Sequence, residues 1–250
     1  MAHDAIILAA GFGSRLAQLS RSKPLARVRG MSLIEIGVRQ AVAAGARRIV
    51  VVIGHEADSV EAHLAEISRA VGVTIEPRRL DDWSKPNGWS VIEGARGLEG
   101  PFLLMMADHI FGDGILEKMA AQELSQCDVV LAIDAPDNPL VDPDDATWVK
   151  RRSNGSIEQI GKDIADYDCV DCGAFLASPD LVCAIETAID NGKAGSLSHG
   201  MQVLADKGRA GVCDITGSWW IDVDDPRAHA LAEAEIADHV SALCEVGADA

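Results

Sequence analysis

The sequence predicts an α/β fold, a single domain with a mainly parallel, twisted sheet flanked by helices. Three observations predict it. Short apolar runs, beginning at Ile6, at Ile49 and at Phe102, alternate with stretches of helical spacing, and continuous apolar runs of that length read as strands buried on both faces. Aromatic residues make up only 4% of the chain while Ala, Val, Ile and Leu are abundant, which favours alternating strands and helices over a sandwich. The order strand, helix, strand, helix, strand requires right-handed crossovers and parallel neighbours. At 250 residues the chain is long enough to bury a sizeable core.

Taken in order, the strand from Ile6 ends at Gly11. Ser32–Ala44 has helical spacing, with Leu33, Ile34, Val38, Ala41 and Val42 on one side and Gly45 as the C-terminal glycine. Ile49–Ile53 is a strand, Asp58–Val71 a helix and Val73–Glu76 a short strand. Arg79–Asn87 is polar, contains Pro86 and reads as a loop. Gly88–Gly97 is a short helix. Phe102–Ala107 is a strand ending at Asp108-His109, followed by a helix over Gly112–Glu123 and a strand over Val129–Ile133. Ala135–Asp145 is rich in Asp and Pro and reads as an exposed excursion. Thr147–Arg152 and Ser156–Ile160 flank Asn154-Gly155, a strong hairpin signal. Asp168–Leu176 and Gly211–Ile215 are strands, and Pro179–Asn191 and Ser196–Lys207 are helices. Trp219–Asp224 is strand-like. Pro226 opens a last helix reaching about Leu243, and the tail Glu245–Ala250 is expected to fray.

A formal charge of −17 argues against general nucleic-acid binding and against docking on anionic lipid. No secretory signal is visible and no run reaches the length of a membrane span, so no membrane insertion is expected and the expected compartment is the cytoplasm. The six cysteines, Cys127, Cys169, Cys172, Cys183, Cys213 and Cys244, then read as free thiols. Cys169 and Cys172 have C-x-x-C spacing, but they fall in an alternating segment and no second pair completes a zinc set.

The chemistry concentrates in two places. Gly11-Phe12-Gly13-Ser14-Arg15 follows the first strand, and Lys23-Pro24-Leu25 follows shortly after. Glycines there let the backbone approach a ligand, backbone N–H groups in such a turn converge on phosphate, and Arg15 and Lys23 supply a planar fork and a mobile point charge. From Gly11 to Ile34 there is no Asp or Glu, against five Arg or Lys residues, a local reversal of sign that argues for an anionic ligand. Leu16 stands where a dinucleotide G-x-G-x-x-G loop needs its third glycine, and no P-loop motif occurs here. The second place is acidic. Asp108 sits at the carboxyl end of a strand, the ligand-binding edge of open α/β sheets. Asp222 and Asp224, two apart in an extended segment, share a face. Together they are candidates for Mg²⁺, which binds through one or two carboxylates plus substrate phosphates. Asp225 reads as the cap of the last helix. Lys23 is expected at a turn outside the core, so that Lys23→Ala leaves the fold intact. Asp108→Asn is expected to spare or raise stability by relieving carboxylate repulsion. Of Trp83, Trp89, Trp219 and Trp220, most read as core. Lys162 by spacing alone is as readily a surface lysine as a ligand, and His109 reads first as a packed, hydrogen-bonded histidine.

The stretch Leu8-Ala9-Ala10-Gly11-Phe12-Gly13-Ser14-Arg15-Leu16, with Lys23-Pro24-Leu25, resembles the signature of the nucleotidyltransferases that activate sugar phosphates and related alcohols. Lys85–Ser90 is similar to that family's segment around the base. Met105-Met106-Ala107-Asp108-His109-Ile110-Phe111, the stretch from Gly155 to Phe175 and Trp220–Pro226 look like motifs of its inositol-phosphate cytidylyltransferases, with Asp225 where that group has Thr. The resemblance implies a Rossmann-like nucleotidyltransferase fold with a small β-rich acceptor-side subregion: residues 1–134 as a nucleotide-binding half, 135–225 as an acceptor-binding half and 226–250 as a C-terminal helix and tail. It implies Mg²⁺-dependent transfer of CMP from CTP to a phosphorylated alcohol, inositol-1-phosphate first, with a sugar-1-phosphate, phosphocholine or phosphonate as alternatives. Arg15, Lys23 and Lys162 would be catalytic. Leu8, Ala9, Ala10, Gly11, Gly13, Ser14, Asn87, Gly88 and Ser90 would bind nucleotide. His109, Lys162, Asp171 and Gly173 would bind acceptor, and Asp108 with Asp222 or Asp224 the metal. Relatives of this kind carry a membrane synthase domain fused behind, so any such partner is expected as a separate protein; a homodimer is left open. Two other classes stay in view: a nucleotide-binding regulator without turnover, against which the intact Arg15, Lys23, Asp108 and Asp224 count, and a dinucleotide-dependent oxidoreductase, against which Leu16 counts.

Overall fold

The computed structural model describes residues 3–241. Strand β1 is Asp4–Ala9, followed by two-residue strands β2, Arg27–Val28, and β3, Met31–Ser32, and helix α1, Leu33–Ala43. Then come β4, Arg48–Ile53; α2, Ala57–Val71; β5, Thr74–Arg79; α3, Gly88–Ala95; β6, Phe102–Met106; β7, His109–Phe111; α4, Ile115–Ala120; and β8, Val129–Asp134. The remainder is β9, Trp148–Arg151; β10, Ile157–Gly161; β11, Cys169–Ala177; α5, Asp180–Asp190; α6, Leu197–Asp206; β12, Ala210–Asp214; β13, Trp220–Asp222; and α7, Pro226–His239.

The main sheet runs β10-β9-β11-β6-β1-β4-β5, with β8 beside β11 and β12 beside β8. β6, β1, β4 and β5 are mutually parallel, as is the β8–β12 pair. The continuous apolar runs specify these strands: Ile6, Ile7, Val50, Val51, Val52, Leu103 and Leu104 are buried on both faces by helices. β11 runs antiparallel to β6, β8 and β9, which makes the sheet mixed and forms the β-rich subregion. The Asn154-Gly155 turn closes the antiparallel β9–β10 hairpin, with Gly155 at φ 83°.

Caps fix the helices that flank the ligand edge. Ser32 Oγ accepts from Glu35 N at 3.2 Å to start α1, and Asp225 Oδ1 accepts from Ala228 N at 2.7 Å to start α7, with Pro226 in the first position.

Several expectations need correction. β5 extends to Arg79, because parallel pairing with β4 continues to Ile53 opposite Arg79. The helix expected over Gly112–Glu123 is only α4, since Gly114 adopts φ 86° and interrupts its start. The strand-like 219–224 segment is shortened to β13, which pairs antiparallel with β7 in a small separate sheet. Of Trp83, Trp89, Trp219 and Trp220, only Trp220 is buried; Trp83 is exposed and Trp89 and Trp219 are half-buried. The last helix ends at His239 instead of about Leu243, because Val240 leaves helical geometry at φ −127° and ψ 94°. The tail Glu245–Ala250 and Cys244 lie outside the described residues. Cys127, Cys169, Cys172, Cys183 and Cys213 are free. Among the described residues no helix is long and apolar enough to cross a membrane.

Candidate active site

The carboxyl ends of β1 and β6 lie side by side, because the two strands pair in parallel from Asp4 opposite Phe102 to Leu8 opposite Met106. The glycine loop leaves one and Asp108 follows the other. Gly13 sits at φ 62°, and a Cβ there would collide with the side chain of Lys23. Glycine is therefore required for the loop to close over Lys23. At Gly11 a Cβ would meet nothing within 4 Å, and that backbone lies open to the cavity it lines.

Lys23 is not outside the core: it is 9% exposed. Its ammonium is held between the carboxylates of Asp108 and Asp224, and Asp222 Oδ1 lies 3.9 Å away. Burial works against its charge, but Asp108, Asp222 and Asp224 outweigh that and hold its pKa well above the ordinary lysine value. The expectation that Asp108 and its acidic partners only repel one another is therefore overturned, because a buried cation stands among them.

The β7–β13 pair brings the second group in. Asp222 lies opposite His109 in register. His109 Nδ1 is 2.9 Å from Asp108 Oδ1 and 3.8 Å from Asp222 Oδ1, and its ring stacks on Trp220, with centroids 6.0 Å apart and planes at 11°. Gly173, at φ 77°, makes room for it: a Cβ there would come within 2.6 Å of His109 Cδ2. Burial disfavours the imidazolium, but Asp222 and Asp108 push the His109 pKa up to about 9. Burial likewise raises Asp108, yet Lys23 and His109 hold it well below the usual carboxylate range. Burial, with Asp108 adding repulsion, raises Asp222 to about 6. Burial also raises Asp171 to about 6, although its carboxylate accepts Gly173 N at 2.7 Å.

The sign of the pH effect follows. A histidine whose pKa rises from 6.5 to about 9 on folding adds stability that is complete below about pH 6.5 and is lost as the pH climbs through 9. An NMR titration should find the His109 imidazole protonated at pH 7.5 and deprotonating near 9; deprotonation near 6.5 would contradict the arrangement.

A larger cavity of ≈ 260 Å³ adjoins a smaller one of ≈ 170 Å³ beside the glycine loop. Leu8, Ala9, Gly11, Gly13 and Lys23 line the smaller; His109, Lys162, Asp171 and Gly173 line the larger, together with Arg15 and Asn87. Asp224 lines both. Ala10 and Ser14 flank the loop. Gly88 and Ser90 are packed inside α3: a Cβ on Gly88 would strike the Gly195 carbonyl, and Ser90 is buried. Asn87 Oδ1 accepts Leu197 N at 2.8 Å, tying α3 to α6.

Two residues that sequence reasoning missed line the larger cavity. The Asp-rich excursion folds back, and Asp145 contacts both Arg15, at 2.9 Å, and the Lys162 ammonium, while Asp142 lies 3.8 Å from Arg15. Arg15 also reaches Asp224 at 2.6 Å. Burial opposes ionisation of Asp145, but Lys162 and Arg15 lower its pKa. No local signal in an Asp- and Pro-rich loop distinguishes this contact from a solvated turn; only the two cations opposite it do.

Asp222 Oδ1 is buried and, among the described residues, has no hydrogen-bond partner. An orphaned carboxylate oxygen beside Asp108 and Asp224 fits a hard divalent cation. Asp108, His109 and Asp222 offer ligand atoms within 4.8 Å of one another; His109 Nδ1 is engaged by Asp108 Oδ1 at 2.9 Å, and a hard cation prefers oxygen, so the carboxylates are the fitting donors.

The MobA-like NTP transferase domain matches residues 5–197. The chain is 35% identical over 233 residues to the bifunctional IPC transferase and DIPP synthase of Rubrobacter xylanophilus, covering 92% of this chain and 51% of that protein. It is 30% identical over 220 residues to the protein of the same name from Archaeoglobus fulgidus, covering 88% and 41%. The chain thus spans about half the length, or less, of these curated relatives. Among solved structures, the inositol-1-phosphate CTP transferase from T. maritima superposes with a TM-score of 0.81 over 94% of this chain and 96% of that one, at 22% identity, a likeness of fold.

Proposed function

Since the chain belongs to the MobA-like NTP transferase family, we propose that it transfers a cytidylyl group from CTP to a phosphorylated alcohol, inositol-1-phosphate first among candidates. One observation carries this reading. Arg15, beside the glycine loop, and Lys162, on the β-rich side, converge on Asp145, while Lys23 lies among Asp108, Asp222 and Asp224. Cations from both halves thus meet in one cleft, as bringing two phosphate anions together in an acidic protein demands. The names of the two relatives, which contain an IPC transferase activity, support inositol-1-phosphate as acceptor. So does the larger cavity, where Asn87, Asp145, Thr147 and Asp171 offer hydrogen-bonding partners to a polyhydroxylated molecule.

In this reading Arg15 and Lys23 bind the triphosphate over Gly11 and Gly13, and Lys162 holds the acceptor phosphate. An acceptor phosphate oxygen attacks the α-phosphorus of CTP, the bond from that phosphorus to the bridging oxygen breaks, and pyrophosphate leaves. A phosphomonoester is ionised near neutrality, so the protein needs no strong base; in-line positioning and charge stabilisation suffice. Asp108 and Asp222, with Asp224, would hold Mg²⁺, which supplies neutralisation of phosphate charge when bound.

Lys162→Ala is expected to raise KM for the acceptor about 10- to 100-fold, the range for a charge-assisted contact, with a much smaller change for CTP. A defect confined to CTP would move Lys162 to the nucleotide side. Pyrophosphate release from each nucleoside triphosphate paired with inositol-1-phosphate, glucose-1-phosphate, phosphocholine and aminoalkylphosphonate tests the reading. Turnover with CTP and inositol-1-phosphate above all other pairs supports it, and preference for another pair reassigns the substrate.

A further inference from the structure

Phe12, His55 and Trp83 form an aromatic cluster that the reading above does not use. They come from the loops that follow β1, β4 and β5, so three neighbouring strands deliver them to one edge of the sheet. The Phe12 and His55 rings meet edge to face, with centroids 4.6 Å apart and planes at 88°. His55 and Trp83 are 5.3 Å apart at 68°, and Phe12 and Trp83 lie nearly parallel, 6.3 Å apart at 26°.

The cluster is anchored from below. His55 N donates to the Ala10 carbonyl at 3.0 Å, and its Nε2 lies 3.1 Å from the Arg21 carbonyl. Trp83 sits directly on Gly54, where a Cβ would lie 2.5 Å from Trp83 Cβ. Yet Phe12 is 45% and Trp83 40% exposed, in a chain with few aromatic residues. Apolar ring surface held open to water in a fixed place marks a binding surface.

Its position selects the occupant. Phe12 is the single residue between Gly11 and Gly13, both of which line the cavity that Lys23 reaches. A ligand here meets loop backbone and the Lys23 ammonium for an anionic group and, one residue away, open ring faces for a flat apolar group. A nucleotide carries both. We infer that Phe12 and Trp83 form a stacking surface for the nucleobase of the bound nucleoside triphosphate. The inference rests on the assignment of the glycine loop to the triphosphate. Stacking engages the π-face that every base has, so the cluster adds affinity without choosing cytosine, and selection among bases belongs to hydrogen-bonding groups elsewhere.

The test uses the whole chain and its Trp83→Leu and Phe12→Leu variants, titrated with CTP, UTP, ATP and inorganic tripolyphosphate, with calorimetry for affinity and tryptophan emission as the reporter. The expected result is that CTP quenches emission of the native protein while bound tripolyphosphate does not. Trp83→Leu loses the quench and binds all three nucleotides about tenfold more weakly, with tripolyphosphate affinity unchanged, and Phe12→Leu shifts the same affinities in the same direction. Unaltered CTP affinity in Trp83→Leu overturns the inference. So does an equal loss for CTP and tripolyphosphate, which would mean that the rings only brace the loop. Tripolyphosphate binding as tightly as CTP to the native protein overturns the inference while sparing the triphosphate site. Binding of neither overturns both.

Discussion

Lys23→Ala is expected to lower turnover about 10²- to 10³-fold, the range for removing one preorganised donor from a site where charge develops, and also to destabilise the fold. The second effect comes from where the ammonium lies. It is buried among Asp108, Asp222 and Asp224, and deleting one partner of a buried ion pair costs about 3–5 kcal/mol, because the remaining charge is left uncompensated. Only His109 and Arg15, which reaches Asp224 at 2.6 Å, are then left to balance three carboxylates. Urea denaturation measures the loss. Mg²⁺ is expected to restore more stability to the variant than it adds to the native protein, since the cation meets carboxylates that no lysine contests. A variant as stable as the native chain, with undiminished turnover, would remove Lys23 from the site.

Asp108→Asn is expected to abolish turnover and to lower stability, the reverse of what carboxylate repulsion alone suggests. Asp108 takes the Lys23 ammonium on one oxygen and His109 Nδ1 on the other, at 2.9 Å. Neutralising it leaves two cations facing only Asp222 and Asp224. A quarter of the Asp108 side chain reaches solvent and two carboxylates remain, so the cost falls to about 1–3 kcal/mol. Thermal unfolding below pH 8, where His109 is charged, measures it. A variant melting above the native protein would mean that repulsion dominates after all.

What was legible in the sequence, and what was not, follows the range of the interactions involved. β1, β4 and β6 were readable because burial on both faces leaves an unbroken apolar run, a local signature. The hairpin around Asn154-Gly155 was readable because turn chemistry is local too. The β7–β13 pair was not, since Asp222 opposite His109 is a contact across more than a hundred residues, and short paired strands leave no periodicity to read. Trp83 was misjudged because a large aromatic side chain defaults to the interior, whereas here it is exposed on the outer edge of the sheet beside Phe12. Lys23 was misjudged for the complementary reason. Lysine defaults to the surface, and only the three-dimensional convergence of Asp108, Asp222 and Asp224 makes its burial tolerable. The residues of the glycine loop were legible as a group, but the close packing of Gly13 against the Lys23 side chain was not, since it joins residues ten apart through an irregular loop. Asp142 and Asp145 belong to an excursion that looked solvated, and their engagement of Arg15 and Lys162 depends on the fold of both halves.

The central claim is the reaction itself, and ³¹P NMR of the purified chain with CTP, inositol-1-phosphate and Mg²⁺ tests it most directly. The account predicts that the inositol-1-phosphate and CTP resonances disappear together, that pyrophosphate and a diphosphate diester appear in equal amounts, that chelator stops the conversion, and that renewed Mg²⁺ restores it. CTP and inositol-1-phosphate that stay unchanged beside a folded protein that binds both would contradict it.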